Sequence, residues 1–276
     1  MKLILKWLLS AAALLLVEQG KLNLDAPVQD YVSFPRKPWP VTMRLLLGNQ
    51  AGIRHYRDNE FDSTRHYANL AQTLEIFARD PLVHEPGTKY LYSTYGFNLA
   101  GAVVEKAAGM PYDQWVRERI LEPAGLATMQ PDHVYRLIPR RARGYRRNSA
   151  GLIENCALAD TSNKLPGGGW TATAGDLVRF ARALMEGKIL TQASLNLMWT
   201  PGALRDGTPT YYGLGWNVQQ ENGEFVAQHS GGQQGTNTHL LLLPQRRLAV
   251  AVLANLEDSG AQRLAREFVR ILTRNP

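Results

Sequence analysis

Thr238-His239-Leu240-Leu241-Leu242-Leu243-Pro244-Gln245-Arg246-Arg247-Leu248-Ala249-Val250-Ala251-Val252-Leu253-Ala254-Asn255 reads as two aliphatic strands joined across a polar, proline-led turn. Just upstream, Tyr211–Gln220 and Glu224–His229 are strand-like and flank Glu221-Asn222-Gly223, in which Asn-Gly is a strong hairpin signal. Downstream, Ser259–Thr273 has helical spacing, with Leu264, Phe268, Ile271 and Leu272 on one face. Consecutive antiparallel strands followed by a covering helix make one half of an α+β sandwich.

Working back towards the N-terminus, helical spacing replaces alternation. Candidate helices are Lys6–Gln19, Thr42–Gly48, Leu70–Ala78, Gly96–Ala108, Tyr112–Leu121, Thr173–Gly187 and Gln192–Trp199. Asp25-Ala26-Pro27 and Phe34-Pro35-Arg36-Lys37-Pro38 are loops, and Arg143–Cys156 reads as a hairpin with Asn148-Ser149-Ala150-Gly151 at its tip. The helical part would form a second lobe, and a cleft between lobes is a usual place for a site. Trp7–Val17 follows a basic start and mimics a leader peptide, but no small-x-small cleavage site follows it and it is too short to span a bilayer. The competing reading is a buried helix ending at Gly20.

With 276 residues and 45% hydrophobic content the chain can bury a real core. The net charge of +7 is lumpy, because Arg136, Arg140, Arg141, Arg143, Arg146 and Arg147 fall close together. Without a recognition pattern around them they read as a solvated loop and hairpin, so no nucleic-acid partner is expected. One cysteine, Cys156, excludes an intramolecular disulfide. His55, His66, His84, His133, His229 and His239 lack metal-ligand spacing, and no metal or other cofactor is expected. There is no Gly-x-Ser-x-Gly elbow, P-loop, His-Glu-x-x-His or Gly-x-Gly-x-x-Gly.

What remains is a set of blocks in a fixed order: Gly20-Lys21-Leu22-Asn23-Leu24-Asp25, Gly52-Ile53-Arg54-His55-Tyr56, Tyr92-Ser93-Thr94, Gly167-Gly168-Gly169-Trp170, Tyr212-Gly213-Leu214-Gly215-Trp216 and His229-Ser230-Gly231-Gly232. Together they resemble the serine β-lactamase and penicillin-binding-protein-like hydrolases, the group that includes class C β-lactamases, and most of all its branch with the mitochondrial serine β-lactamase-like protein. The resemblance runs from residue 6 to about residue 272. It implies one α+β domain over 1–276, a sandwich of antiparallel sheet and helices. Residues 6–200 would be mainly helical lobe and loops, and 205–276 the strands with the C-terminal helix.

The resemblance also implies a site. Its second motif, Tyr-x-Asn, matches Tyr92-Ser93-Thr94 with Thr94 in place of the Asn, so the amide donor is lost and a hydroxyl kept. Its third motif matches His229-Ser230-Gly231 in the histidine form, with Gly232 as the candidate oxyanion donor. His55 and Trp216 are expected to be packing groups. The first motif is Ser-x-x-Lys. Its lysine falls on Lys6, and its serine would be position 3, which is Leu3. Isolated Tyr and Lys titrate near ~10 and ~10.4, but held together an ammonium stabilises the phenolate, and the pair can take a serine proton.

Three readings stay open: a hydrolase whose nucleophile lies upstream of Met1, a pseudoenzyme that keeps the pocket for binding or assembly, and a rewired enzyme using Ser93 or Ser230. The resemblance implies a small-molecule or peptide substrate, with the His-x-Gly and Tyr-x-Thr forms pointing to an ester or peptide more than a β-lactam, and an extracytoplasmic or periplasmic setting. It further implies strands ahead of Lys6 that this chain lacks. Leu248–Asn255 would then be an uncovered apolar edge, prone to self-association.

Overall fold

The computed structural model describes the backbone of residues 2, 3 and 5–274, with side chains from Leu5 onward. Helix α1 (Lys6–Glu18) carries ten fully buried residues, from Lys6 to Leu14 and Leu16. An apolar helix without a polar face must lie inside the protein, and this one does. Trp7 stacks on Trp216 at 5.9 Å and meets Phe180 at 4.3 Å, while the Trp115 indole donates to the Ala12 carbonyl. The leader-like stretch is thus the central core helix.

The other helices gather around it: α2 (Met43–Leu47), α3 (Leu70–Leu74), α4 (Thr94–Ala108), α5 (Tyr112–Val116) running on into a π-turn (Arg117–Leu121), α6 (Leu165–Gly168), α7 (Ala174–Met185) and α8 (Gln192–Trp199). Their starts are set by side-chain caps. Thr42, Ser93, Thr173 and Thr191 each accept a hydrogen bond from the backbone N–H three residues on. Helix α4 crosses α1, α2 and α3. The expected Leu70–Ala78 helix stops at Leu74 and continues only as turns.

Strands β1 (Lys2–Leu3), β2 (Gln130–Pro131) and β5 (Trp170–Thr171) form a small sheet in the order β1-β5-β2, which the sequence did not announce because each piece is two residues long. The Arg143–Cys156 region is a hairpin of β3 (Tyr145–Arg147) and β4 (Ile153–Asn155). Within it Arg146 pairs with Glu154 and Arg147 donates to the Gly151 carbonyl, and just before it Arg141 pairs with the buried Asp132.

The main sheet holds β6 (Asn217–Glu221), β7 (Glu224–Gln233), β8 (Thr236–Leu243) and β9 (Leu248–Ala254), antiparallel and in sequence order. Asn222 and Gly223, with φ of 51° and 81°, make the tight hairpin that their sequence predicts. Strand β6 begins at Asn217 rather than Tyr211, because Tyr211–Trp216 is a turn with left-handed residues at Tyr211 and Gly215. A side chain at Gly215 would meet the Lys6 carbonyl oxygen at 2.8 Å and its carbon at 3.0 Å, so this glycine lets the loop close on the first turn of α1.

The C-terminal helix, α9 (Ala261–Thr273), lies on β8 and β9. It does so through Ala261 and Ala265. The face expected to cover the sheet is instead partly open, with Phe268 49% and Leu272 62% exposed. The outer edge of β9 has no strand beside it among the described residues. An apolar edge beside an apolar helix face favours association.

Two outcomes follow from this packing. Gly215→Ala adds a methyl against helix backbone at φ +77°, and should destabilise the protein by more than about 1 kcal/mol in urea unfolding. The chain should also self-associate with rising concentration in light scattering, and Val252→Lys with Phe268→Lys should shift it towards monomer.

Candidate active site

Lys6 is the first residue of α1 and is fully buried. Its Nζ stands 3.4 Å from the centroid of the Tyr92 ring and 4.3 Å from that of Phe97. Among the described residues that nitrogen has no hydrogen-bond partner. Burial therefore pushes the Lys6 pKa well below its ordinary 10.5, because the aromatic faces replace only a small part of lost hydration. Tyr92 moves the opposite way. Burial raises its pKa, and the neighbouring Tyr56 and Tyr90 add to the rise. Burial thus moves the pair towards a neutral amine beside a neutral phenol. This differs from the ammonium–phenolate pair that the sequence suggests, and the reason is desolvation, which penalises both charges.

The elements around Lys6 bring the other expected residues to it. Tyr92 precedes the N-cap Ser93 of α4. His229 lies on β7, opposite Leu240, with its ring centroid 6.4 Å from that of Tyr92. The His229 Nδ1–H donates to the Ser230 carbonyl at 2.7 Å, which leaves Nε2 to accept from the Tyr212 hydroxyl at 3.1 Å. Burial lowers the His229 pKa to about 3. This puts the imidazole in its neutral form near pH 7. A cavity of about 450 Å³ opens here, lined by His55, Tyr92, Thr94, Lys164, His229 and the Ser230–Gln233 backbone stretch, among others. A wider concavity of about 1310 Å³, lined in part by His66, His133 and Asp160, shares none of these residues.

The remaining expected residues take differing places. Thr94 is buried at the start of α4; its N–H donates to His55 Nδ1 at 3.2 Å and its side chain hydrogen-bonds the Tyr56 phenol. Ser230 and Gly231 line the cavity, but the Ser230 hydroxyl is turned to His239 Nδ1 at 2.8 Å on the neighbouring strand. At Gly232 an added Cβ would meet nothing within 4 Å, so the strand leaves open room for a substrate. His55, expected to be a packing group, lines the cavity and stacks edge-on to Tyr92 at 5.5 Å. The loop that presents it is tied by the buried Arg54, which forks onto Glu60 at 2.7 and 2.9 Å and also pairs with Asp80.

No serine hydroxyl among the described residues hydrogen-bonds the Lys6 amine. Ser93 donates to the Arg54 carbonyl at 2.7 Å and accepts from the Gly96 N–H, which are the contacts of a cap. Ser10 donates to the Lys6 carbonyl at 3.2 Å. Leu3 pairs through its backbone with Trp170, and α1 starts only at Lys6, so positions 3 and 6 do not share a helical turn. The Leu3 side chain lies outside the described residues. Two residues escaped the sequence reading, Tyr212, which hydrogen-bonds His229, and Lys164, which lines the cavity. Tyr212 was quoted within its glycine block without a role, and Lys164 stands beside Gly167-Gly168-Gly169 with no spacing that marks a lysine as functional.

The geometry has parallels among known proteins. The human mitochondrial serine beta-lactamase-like protein LACTB is 26% identical, over 91% of this chain and 66% of its own length. Penicillin-binding protein 4* of Bacillus subtilis is 30% identical, over 89% of this chain and 58% of its own. The chain thus spans about two thirds or less of the length of these curated relatives. A penicillin-binding protein from Bacillus halodurans superposes with a TM-score of 0.85 at 26% identity, covering 98% of this chain and 86% of that one. The family described as Beta-lactamase matches residues 4–274, and the chain belongs to that family of hydrolases.

Proposed function

We propose that the pocket serves serine-type acyl transfer on an ester, peptide or β-lactam carbonyl, with Lys6 as base, Tyr92 as proton relay and His229 as a neutral wall. The observation that carries this reading is the buried Lys6 amine, without a hydrogen-bond partner among the described residues, against the Tyr92 ring. An amine kept neutral by burial can accept the proton of an attacking hydroxyl as its oxygen bonds to the carbonyl. The neutral phenol of Tyr92 can then pass a proton to the leaving group. The open backbone at Gly232 is where the carbonyl would lie.

A second reading has an observation of its own. Leu3 stands where the resemblance needs the serine. In the 276 residues as they stand, the pocket would therefore bind a carbonyl compound without forming an acyl-enzyme. The expected result is no serine adduct in the intact mass after incubation with a fluorophosphonate, while a small ester shifts the side-chain resonances of Tyr92 and His229. A stoichiometric adduct on any serine would contradict the place given to Leu3, and an adduct on Ser230 or Ser93 would favour a rewired nucleophile.

A further inference from the structure

The stretch from Val134 to Leu158 lines no part of the acyl-transfer cavity and differs in character from the rest of the surface. It carries six arginines and one carboxylate, Glu154, so five of the chain's seven net positive charges fall within it. Among the described residues it also holds six of the fifteen large apolar side chains that stand exposed: Val134, Tyr135, Leu137, Leu152, Ile153 and Leu158. Tyr135 is 76% exposed, Leu158 85% and Leu137 wholly so. Single apolar residues on a surface need no explanation, but a cluster of them beside one sign of charge does.

The fold brings these residues together. Val134, Leu158, Arg141 and Arg143 border one concavity of about 600 Å³. In the β3–β4 hairpin Arg147 stands opposite Ile153, and opposed residues of an antiparallel pair point to the same side. The base of the hairpin is tied to the main sheet. The Tyr145 N–H donates to the Asn255 carbonyl at 2.8 Å, the Glu257 N–H to the Tyr145 carbonyl at 3.0 Å, and the Asn255 amide to the Arg143 carbonyl at 3.0 Å. Arg141 and Arg146 each have a carboxylate partner, whereas Arg136, Arg140 and Arg143 pair with none among the described residues.

Unpaired guanidiniums set among exposed aliphatic side chains fit a lipid surface with anionic headgroups. The charges meet the phosphates, and the leucines enter the boundary between headgroups and acyl chains. A polynucleotide would be met by stacking aromatic rings, and five of the six exposed apolar residues are aliphatic. We propose that the segment from Val134 to Leu158 is a docking surface for an anionic lipid bilayer. No described helix is long and apolar enough to cross a membrane, and the contact is with the bilayer surface. The proposal does not depend on what the cavity does.

Flotation of the full chain with vesicles tests it, using phosphatidylcholine alone and phosphatidylcholine mixed with phosphatidylglycerol, at low and high salt. The mixed vesicles should bind at least about tenfold more tightly than the neutral ones, and salt should weaken the binding. Arg136→Glu with Arg140→Glu and Arg143→Glu should lower the affinity at least about tenfold. Leu137→Ser with Leu152→Ser and Ile153→Ser should do the same, with melting curves showing that each variant is folded. Equal binding of the two kinds of vesicle, or binding of neither, overturns the proposal without recourse to any variant. A folded arginine variant that binds as before also overturns it. So does an unchanged affinity in the serine variant, and capture of a single-stranded oligonucleotide by that variant would then assign the patch to nucleic acid. Binding that is lost in Phe268→Ser with Leu272→Ser, but kept in both loop variants, would place the contact on α9 and overturn the proposal as well.

Discussion

Everything in the site depends on an amine buried at the start of a buried helix. Lysine is seldom taken fully out of water unless something offsets the loss, and here α1 has little freedom to give way. Its apolar length is packed on every side, with Trp7 held by Trp216 and Phe180 and Trp115 bonded to its backbone. The core therefore pins the helix, and the helix carries Lys6 under Tyr92. Gly215 closes the arrangement by letting the Tyr212–Trp216 turn sit against the Lys6 carbonyl. The same turn sends the Tyr212 hydroxyl to His229.

That coupling explains why the groups of the site are pushed towards their uncharged forms. Lys6, Tyr92, Tyr212 and His229 share one desolvated space, and burial moves each pKa towards its uncharged form: down for the amine and imidazole, up for the phenols. Lys164 lines the cavity, with its nitrogen held by the Phe61 carbonyl and Gln234 Oε1.

How much of this the sequence discloses varies with the kind of signal. The strands β7, β8 and β9, the Asn222-Gly223 hairpin and α8 come through plainly, because alternation, turn chemistry and capping all agree there. Lys6, Tyr92 and His229 could be named by resemblance; the fold brings Tyr92 and His229 to one cavity and sets Lys6 against the Tyr92 ring. The protonation states could not be named, because they depend on burial, which no motif spells out. Lys164 and Tyr212 were hidden for a related reason: each acts through a neighbour distant in sequence, Lys164 through Phe61 and Tyr212 through His229. The apolar face of α9 was legible as a stripe, but not as a partly exposed one. The periodicity of Leu264, Phe268 and Ile271 says that a face is apolar and is silent on what covers it.

The most direct test of the account is the titration of Lys6 itself, followed through the ¹³Cε and ¹⁵Nζ resonances of the folded protein. A proton held by the unfolded chain up to about 10.4, but released by the folded chain at lower pH, makes stability rise with pH across that window. The account predicts that Lys6 loses its proton well below 10.5, and that a small ester bound in the cavity shifts the same resonances. A Lys6 that titrates at its ordinary value would mean a solvated or charge-paired amine, and would contradict the account.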